Sequence, residues 1–210
     1  MTDRRMVHVV DDEEALRRST SFLLKTSGYA VTTWPDGAAF LKAVKHVEPG
    51  CVLLDVRMPE IDGLEVQQVM AERGISMPVI ILTGHGDVAT AVEAMKGGAV
   101  DFLEKPFERE ALLEAVARAF ARIDGTEAEH DRAKEAGVRI ACLTPREQDV
   151  LEGLARGLPN KTIAYDLEIS PRTVEVHRAN MMTKLGVRSL SDALRLAFAA
   201  GIGVSDGGRH

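Results

Sequence analysis

The sequence has 210 residues, 45% of them hydrophobic and 28% charged, with a formal net charge of -6. These fractions are typical of a globular protein and exclude a disordered or fibrous chain, and the length allows two ordinary domains. The longest apolar stretches are too short to span a bilayer, and no long apolar run follows the charged N-terminus. We therefore expect a cytoplasmic protein that makes no membrane contact.

The charge is unevenly distributed along the chain. Residues 1–122 carry a net charge of -5, residues 123–137 carry -3, and residues 138–210 carry +2, with 10 Lys and Arg against 8 Asp and Glu. This distribution permits DNA binding at the C-terminus but does not establish it. Cys51 and Cys142 have no metal-ligand spacing, so we expect two reduced, structural thiols.

The first 122 residues alternate between short apolar runs and amphipathic stretches. Three of the runs are nearly continuous, as in parallel strands that are covered on both faces. The stretches between them carry apolar residues three or four apart, which is the helical period. This alternation predicts an α/β domain over residues 1–122, with a doubly wound, five-stranded parallel sheet of the flavodoxin-like kind. The predicted strands are Met6–Val10, Tyr29–Thr33, Cys51–Leu54, Val79–Leu82 and Val100–Leu103.

The composition changes after Phe120. Ile123–Gly137 is polar and rich in Glu and Ala, which predicts a partly helical linker over residues 123–139 with Gly125 as its weak point. Residues 140–205 contain helix signals only, which predicts a small all-α domain of four helices. The helix starts are the capping box Thr144-Pro145-Arg146-Glu147, Asn160 as the cap of Lys161–Leu167, Ser170-Pro171 before a helix that ends near Leu185, and Ser189.

Polar side chains follow four of the predicted strands. Asp11 and Asp12 follow the first strand, Asp55 the third, Thr83 the fourth and Lys105 the fifth. The carboxyl ends of parallel strands meet at one edge of the sheet, so these groups are expected to converge there. Clustered carboxylates need a cation, and oxygen ligands suit Mg²⁺. A metal beside an exposed carboxylate, a lysine and a hydroxyl favours phosphoryl transfer onto that carboxylate.

Each of these residues also has a simpler explanation. Asp11 and Asp12 could only stabilise a helix N-terminus, Asp55 could form a turn, and Lys105 could be a solvated charge. A different phosphoryl chemistry, that of aspartate-nucleophile phosphatases of the haloacid dehalogenase kind, needs a second carboxylate two residues after the nucleophile. Arg57 occupies that position, which argues against a phosphatase. His85 between two glycines is a weak candidate for a general base.

Four segments of this region resemble the receiver domains of two-component response regulators, most closely those of the FixJ type. They are Val9–Glu13, Leu54–Pro59, Thr83–Asp87 and Asp101–Phe107, within a resemblance that spans residues 5–122.

The resemblance implies the role of each pocket residue. Asp55 would accept a phosphoryl group from a phosphohistidine of a sensor histidine kinase. Asp12, Asp55 and the backbone carbonyl of Arg57 would ligate Mg²⁺, with Asp11 acting through a water molecule, and Lys105 would pair with the phosphoryl group.

The resemblance also implies a switch. Thr83 would bond to the phosphoryl group, and Phe102 would change rotamer with it. We expect the change to reshape the face made by Val88–Met95, the fifth strand and Glu108–Phe120, which would serve for dimerisation after phosphorylation and could hold the C-terminal domain before it. The helix in this face carries a mix of small and apolar side chains that we expect to be exposed: Val88, Ala91, Val92 and Met95.

The C-terminal part contains the pattern helix, short turn, helix. The second helix, Pro171–Leu185, has an apolar stripe opposite a face of hydrogen-bonding residues, as a helix that enters the major groove requires. By geometry alone, a small helical domain that binds protein is an equally good interpretation. The stripe consists of Val174, Met181 and Leu185, and the polar face of Thr173, Glu175, His177, Arg178, Asn180 and Lys184.

Three segments of this part resemble the LuxR-type DNA-binding domain: Leu143–Glu147, Asn160–Ala164 and Ser170–His177. The resemblance implies base contacts near Glu175, Val176 and Ala179, where relatives carry lysine in place of Glu175. It implies pairing of two domains through the helix Ser189–Ala200, whose apolar residues could instead only close the domain core. The candidates for phosphate contacts are Asn160, Lys161, Thr173, Arg178 and Lys184.

Together these patterns predict a phosphorylation-dependent transcriptional regulator that is not an enzyme. Its expected partners are a sensor histidine kinase, promoter DNA, RNA polymerase and a second copy of itself after phosphorylation. The alternatives are a signalling adaptor whose helical domain binds protein and a constitutive DNA binder.

Overall fold

The computed structural model describes residues 5–84, 88–124 and 129–203. They form two compact units. The first contains the described residues of Met1–Gly86 and Gly97–Thr126, and the second contains those of Asp87–Lys96 and Glu127–His210. His85 and Gly125, which the sequence singled out, lie outside the described residues.

The first unit is built on a five-stranded parallel sheet with strand order β2-β1-β3-β4-β5. This confirms the predicted fold class. The strand positions agree with the prediction to within one residue at each end. The strands are β1 (Met6–Val10), β2 (Ala30–Trp34), β3 (Cys51–Asp55), β4 (Val79–Thr83) and β5 (Asp101–Glu104).

Helices connect these strands. Every residue of β3 and β4 is buried, which explains why both read as continuous apolar runs. Leu112 and Val116 of α5 are fully buried in the core cluster that includes Leu53 and Ile80 of these strands. Gly28, after α1, and Gly98, after α4, adopt positive φ angles. The helices are α1 (Glu14–Thr26), α2 (Gly37–Ala43), α3 (Gly63–Glu72), α4 (Val88–Lys96) and α5 (Arg109–Ile123), of which α4 groups with the second unit.

Two residues of α4 are less exposed than the sequence pattern predicted. Ala91 and Val92 are buried, while Val88 and Met95 are only partly exposed. The face therefore does not expose the apolar surface that the sequence pattern suggested. The pattern identified an apolar stripe correctly, but a stripe on a helix is as well suited to packing as to pairing.

An aromatic cluster, in which His8 and Phe40 are buried and Trp34 is partly buried, joins β1, β2 and α2. His8 is 1% exposed, and its Nε2 lies 2.9 Å from the Glu48 carbonyl oxygen. Trp34 Nε1 donates to His8 Nδ1 at 3.4 Å, so Nε2 must carry the ring proton that is donated to Glu48. Phe40 packs edge-on against the Trp34 ring. Burial is the main cause that lowers the pKa of His8, which keeps the ring neutral.

The second unit contains five further helices: α6 (Glu129–Ile140), α7 (Pro145–Ala155), α8 (Asn160–Asp166), α9 (Pro171–Leu185) and α10 (Leu190–Ala199). Thr144 and Glu147 form the predicted capping box, and Ser170 caps α9 through its bond from the Thr173 amide. Asn160 is not a cap as predicted: it is the first residue of α8, and the N-cap position belongs to Pro159. The missing backbone donor of proline suits that helix start, and no side-chain cap is formed.

Part of the predicted linker is helical and packed. In α6, Ala136 is fully buried and Ile140 nearly so, and this helix packs against α10 within the second unit. Gly137 and Val138, by contrast, are exposed. Within the described residues, no helix is long and apolar enough to cross a membrane.

We expect the Gly63→Ala substitution to destabilise the first unit. A Cβ atom at Gly63 would lie 2.2 Å from the Asp55 carbonyl oxygen, and because this contact is with backbone, a side-chain movement cannot relieve it. The loss should be about 1–3 kcal/mol in the free energy of unfolding, measured by urea denaturation. The control is Gly137→Ala, whose Cβ would meet no atom within 4 Å. It should stabilise α6 by about 0.5–1 kcal/mol, and equal effects of the two substitutions would contradict the packing argument.

Candidate functional site

The carboxyl ends of β1, β3, β4 and β5 form one edge of the first unit, and the predicted pocket residues lie there. Asp55 is the last residue of β3 and Thr83 the last of β4. Asp11 and Asp12 directly follow β1, and Lys105 directly follows β5. The predicted convergence of these residues is therefore present in the structure.

Three carboxylates form a compact cluster at this edge. One oxygen each of Asp11, Asp12 and Asp55 lies within 4.8 Å of the other two. Asp11 and Asp55 are buried, whereas Asp12 is exposed. An all-oxygen set with an open, solvent-facing side suits Mg²⁺, which binds through one or two carboxylates and retains several waters.

Lys105 joins two members of the cluster. Its Nζ donates to Asp11 Oδ2 at 2.6 Å and to Asp55 Oδ1 at 2.7 Å. The peptide bond between Lys105 and Pro106 is cis, and the Lys105 amide donates to the Thr83 carbonyl oxygen at 2.7 Å. Burial by itself lowers the pKa of Lys105, but the bonds to Asp11 and Asp55 outweigh it and raise the pKa above the ordinary value. The ammonium therefore stays charged in the pocket.

Asp55 and Asp11 differ in their surroundings. Burial, the largest cause, raises the pKa of Asp55, and Lys105 opposes this rise. Asp11 Oδ1 accepts from the Glu13 amide at 2.8 Å, and its Oδ2 is bonded to Lys105, so both oxygens have donors. Asp55 is therefore the buried carboxylate with the freer oxygen, as a nucleophile requires.

Sequence reasoning missed two residues that shape the pocket. Arg17 of α1 donates to the Asp11 carbonyl oxygen at 2.6 Å, which fixes the turn after β1. Gly63 allows α3 to begin against the Asp55 backbone. The first contact depends on a long side chain that folds back six residues, and no periodic pattern signals it. The glycine could have been noticed as the first helical residue after the pocket loop.

Thr83 and Phe102 lie on the same face of the sheet. Ile81 pairs with Phe102 in the β4–β5 register, and Thr83 pairs with Glu104. Because side chains two apart share a face, Thr83 and Phe102 are diagonal neighbours across the two strands. Both are buried in this structure, at 6% and 8% exposure.

In the second unit, α8 and α9 form a helix-turn-helix. Val174, Met181 and Leu185 are buried, as predicted. Glu168 in the turn has a φ of 56°, and Gly186 ends α9 with a φ of 67°. The exposed residues of α9 include Glu175, Val176 and Ala179, together with Arg172, Asn180 and Thr183 of the same face.

The remaining candidates for DNA contact are placed differently. His177 and Arg178 are half-buried beside the apolar stripe of α9, and Lys161 is exposed on α8. The buried Oδ1 of Asn160 has no hydrogen-bond partner within the part of the chain that the structure describes.

Two more candidates are engaged in bonds within the unit. Thr173 shares a hydroxyl hydrogen bond with Ser170 at 2.8 Å. Lys184 is bonded to Glu147 of α7 at 2.8 Å. Arg172, which lies one turn before Glu175 and Val176, is an exposed cation that the sequence pattern did not mark as a site residue.

We expect the Asp55→Asn substitution to raise the melting temperature of the first unit by a few degrees at neutral pH. A carboxyl whose pKa is higher in the folded than in the unfolded chain binds its proton more tightly when folded. Its ionisation therefore destabilises the fold as pH rises above the ordinary value of 3.8 through the raised pKa. Below that window both forms are neutral, so the difference between the two proteins should vanish. Thermal melts against pH measure this.

The control for this experiment is Glu72→Gln, an exposed carboxylate on α3 that bonds only to Gln68 in the structure described. It should leave the melting temperature of the first unit nearly unchanged. A less stable Asp55→Asn protein at neutral pH would contradict the assignment of Asp55 as a destabilising buried charge.

Comparison with known proteins agrees with this geometry. Residues 7–117 match the family described as response regulator receiver domain, and residues 141–197 match bacterial regulatory proteins of the luxR family. The chain is 52% identical over 206 residues to the transcriptional regulatory protein FixJ of Azorhizobium caulinodans, covering 98% of both chains. It is 40% identical to the response regulator protein TodT of Pseudomonas putida, covering 93% of this chain and 87% of TodT.

A solved structure shows the same similarity. The crystal structure of full-length FixJ from B. japonicum is 48% identical and covers 95% of this chain and 98% of its own, with a TM-score of 0.58. The chain belongs to the two-component response regulators of the FixJ type, which combine a receiver domain with a LuxR-type DNA-binding domain.

Proposed function

We propose that Asp55 of this regulator accepts a phosphoryl group from the phosphohistidine of a sensor histidine kinase, and that the phosphorylated chain binds promoter DNA as a dimer. The observation that carries the proposal is the position of Asp55, buried between Lys105 and two further carboxylates. In this proposal residues 1–122 are the receiver domain, 123–139 the linker and 140–205 the DNA-binding domain. The protein acts as a regulator in the cytoplasm, where the kinase and the promoter are found, and not as an enzyme on a separate substrate.

The proposed reaction transfers a phosphoryl group from a histidine nitrogen to a carboxylate oxygen. A carboxylate oxygen of Asp55 forms the new bond to phosphorus, the histidine nitrogen leaves with the electron pair of the broken bond, and an acyl phosphate results. Asp12, Asp55 and the Arg57 carbonyl would hold Mg²⁺, with Asp11 acting through water, and the metal would neutralise charge on the phosphoryl oxygens. Lys105 already touches Asp55, so a small movement of its ammonium reaches a phosphoryl oxygen.

The Thr83 hydroxyl and the Phe102 ring would carry the signal away from Asp55. Both lie on one sheet face at adjacent strands, so a bond from Thr83 to the phosphoryl group would vacate space on the side of Phe102. To convert a mostly inactive population into a mostly active one, the phosphoryl group must favour the active state by about 5 kcal/mol.

DNA would be recognised by α9 in the major groove. Its exposed face offers Glu175, Val176 and Ala179 to base edges. An acidic side chain can accept a hydrogen bond from cytosine, and an apolar one can contact the methyl group of thymine. The flanking polar candidates Asn160, Lys161, Thr173 and Arg178 would contact phosphates, and RNA polymerase would be the partner on the promoter.

Intact mass measurement tests the phosphoryl transfer. After incubation with acetyl phosphate and Mg²⁺, the wild-type protein should gain a single phosphoryl adduct. The adduct should be absent from Asp55→Asn and from wild-type protein treated with a chelator, because both lack part of the pocket. A wild-type protein that stays unmodified while a known receiver is labelled would contradict the proposal and indicate a constitutive DNA binder.

Analytical ultracentrifugation tests the dimer. Stoichiometrically phosphorylated protein should sediment as a dimer, whereas Asp55→Asn treated in the same way should sediment as the untreated protein does. Because two half-sites one helical turn apart need two α9 helices, the dimer should bind a two-site duplex more tightly than a one-site duplex. A monomer after complete phosphorylation would overturn the dimer proposal and leave the phosphoryl transfer intact.

A further inference from the structure

The carboxylate of Glu147 joins two helices of the DNA-binding unit. Its Oε2 accepts from the Thr144 amide at 2.8 Å, which closes the capping box of α7. The same oxygen accepts from Lys184 Nζ at 2.8 Å, in the last turn of α9. The Glu147 side chain is only 4% exposed, so this pair is shielded from solvent on the glutamate side.

The contact changes the expected role of Lys184. The Lys184 side chain is 40% exposed and its ammonium is bonded to Glu147, so a phosphate contact that drew the ammonium away would break this bond. Glu147 would then be a buried carboxylate with the Thr144 amide as its remaining strong donor, which is costly. Lys184, followed by the Thr144 amide, lowers the pKa of Glu147, so the carboxylate is ionised when the pair forms.

The position of the pair along α9 gives it a structural consequence. Val174, Met181 and Leu185 bury one side of the helix, but apolar contacts are not directional and tolerate small rotations. The charged bond between Lys184 and Glu147 is directional. It fixes the last turn of α9 against the first turn of α7.

We infer that Lys184 is a positioning residue for DNA recognition: through Glu147 it sets the orientation in which α9 presents Glu175, Val176 and Ala179 to the bases, and it does not contact phosphate. The inference rests on the proposed role of α9 as the recognition helix. It predicts that Lys184 affects how well the protein discriminates between DNA sequences, whereas a phosphate contact affects the affinity for every sequence alike.

The test measures the DNA affinity of four variants of the phosphorylated full-length protein, Lys184→Met, Glu147→Gln, the double variant and Lys161→Met. The probes are a duplex that the wild-type protein selects from a random library and a random-sequence duplex of equal length. Affinities are measured against salt concentration, well below the melting temperature of each variant.

Lys184→Met and Glu147→Gln should each lose about tenfold in affinity for the selected duplex, as expected when one or two base contacts are misaligned. Their affinity for the random duplex should change by less than about twofold, since phosphate contacts are intact. The double variant should lose no more affinity for the selected duplex than the single variant that binds it less tightly. The salt slope, which is the dependence of log affinity on log salt concentration, should not become shallower in any of these three variants. Lys161→Met should make it shallower by about 0.9 and should weaken binding to both duplexes alike.

Two results would overturn the inference. A salt slope that falls in Lys184→Met as it does in Lys161→Met would make Lys184 a phosphate contact. A lower melting temperature with an unchanged ratio of selected to random affinity would make the pair important for stability alone. If the wild-type protein selects no duplex, both this inference and the proposed role of α9 are wrong, while either of the first two results leaves that role in place.

Discussion

The bond of one ammonium to two buried carboxylates organises the receiver unit. Lys105 reaches Asp11 after β1 and Asp55 at the end of β3, so it connects the edge of β5 with the centre of the sheet. One positive charge among three carboxylates leaves two negative charges uncompensated. A divalent cation would balance these two charges. A phosphoryl group on Asp55 would add new negative charge, with which Lys105 would form an ion pair. Two backbone contacts hold the pocket residues in position: the Lys105 amide donates to the Thr83 carbonyl oxygen, and Arg17 donates to the Asp11 carbonyl oxygen.

The sheet and the pocket were largely predictable from the residues. Parallel strands that are covered on both faces are apolar, and β3 and β4 are buried throughout and apolar up to their last residues, Asp55 and Thr83. Convergence of the pocket followed from strand direction alone, because polar residues at the ends of adjacent parallel strands have to meet. The predictions for β3 and β4 end one residue early, at the polar residues that close these strands. Those for β2 and β5 are shifted by one residue, at the two edges of the sheet, where burial is incomplete and the pattern is weaker.

What could not be predicted depends on long side chains and on packing between distant segments. The sequence did not single out Arg17 and made Lys184 a candidate for phosphate contact, and each is bonded within its own unit in the structure. The burial of Ala91 and Val92 in α4 was missed because an apolar stripe does not reveal what covers it. Asn160 was assigned as a cap by residue type, although Pro159 occupies that position. In each case the sequence established the residue's chemistry but not its neighbour.

The aromatic cluster of His8, Trp34 and Phe40 has a consequence for optical measurements. Trp34 is the only tryptophan in the chain, and it belongs to the receiver unit. Fluorescence excited at the red edge of aromatic absorption therefore comes from the receiver unit and not from the DNA-binding unit. The indole is partly buried and its N–H donates to His8, so the Trp34 emission should be blue-shifted relative to that of the unfolded chain while β1 and β2 are paired. It should move to longer wavelength when the two strands separate. The chain thus carries a native fluorophore that distinguishes the unfolding of one unit from that of the other without any added label.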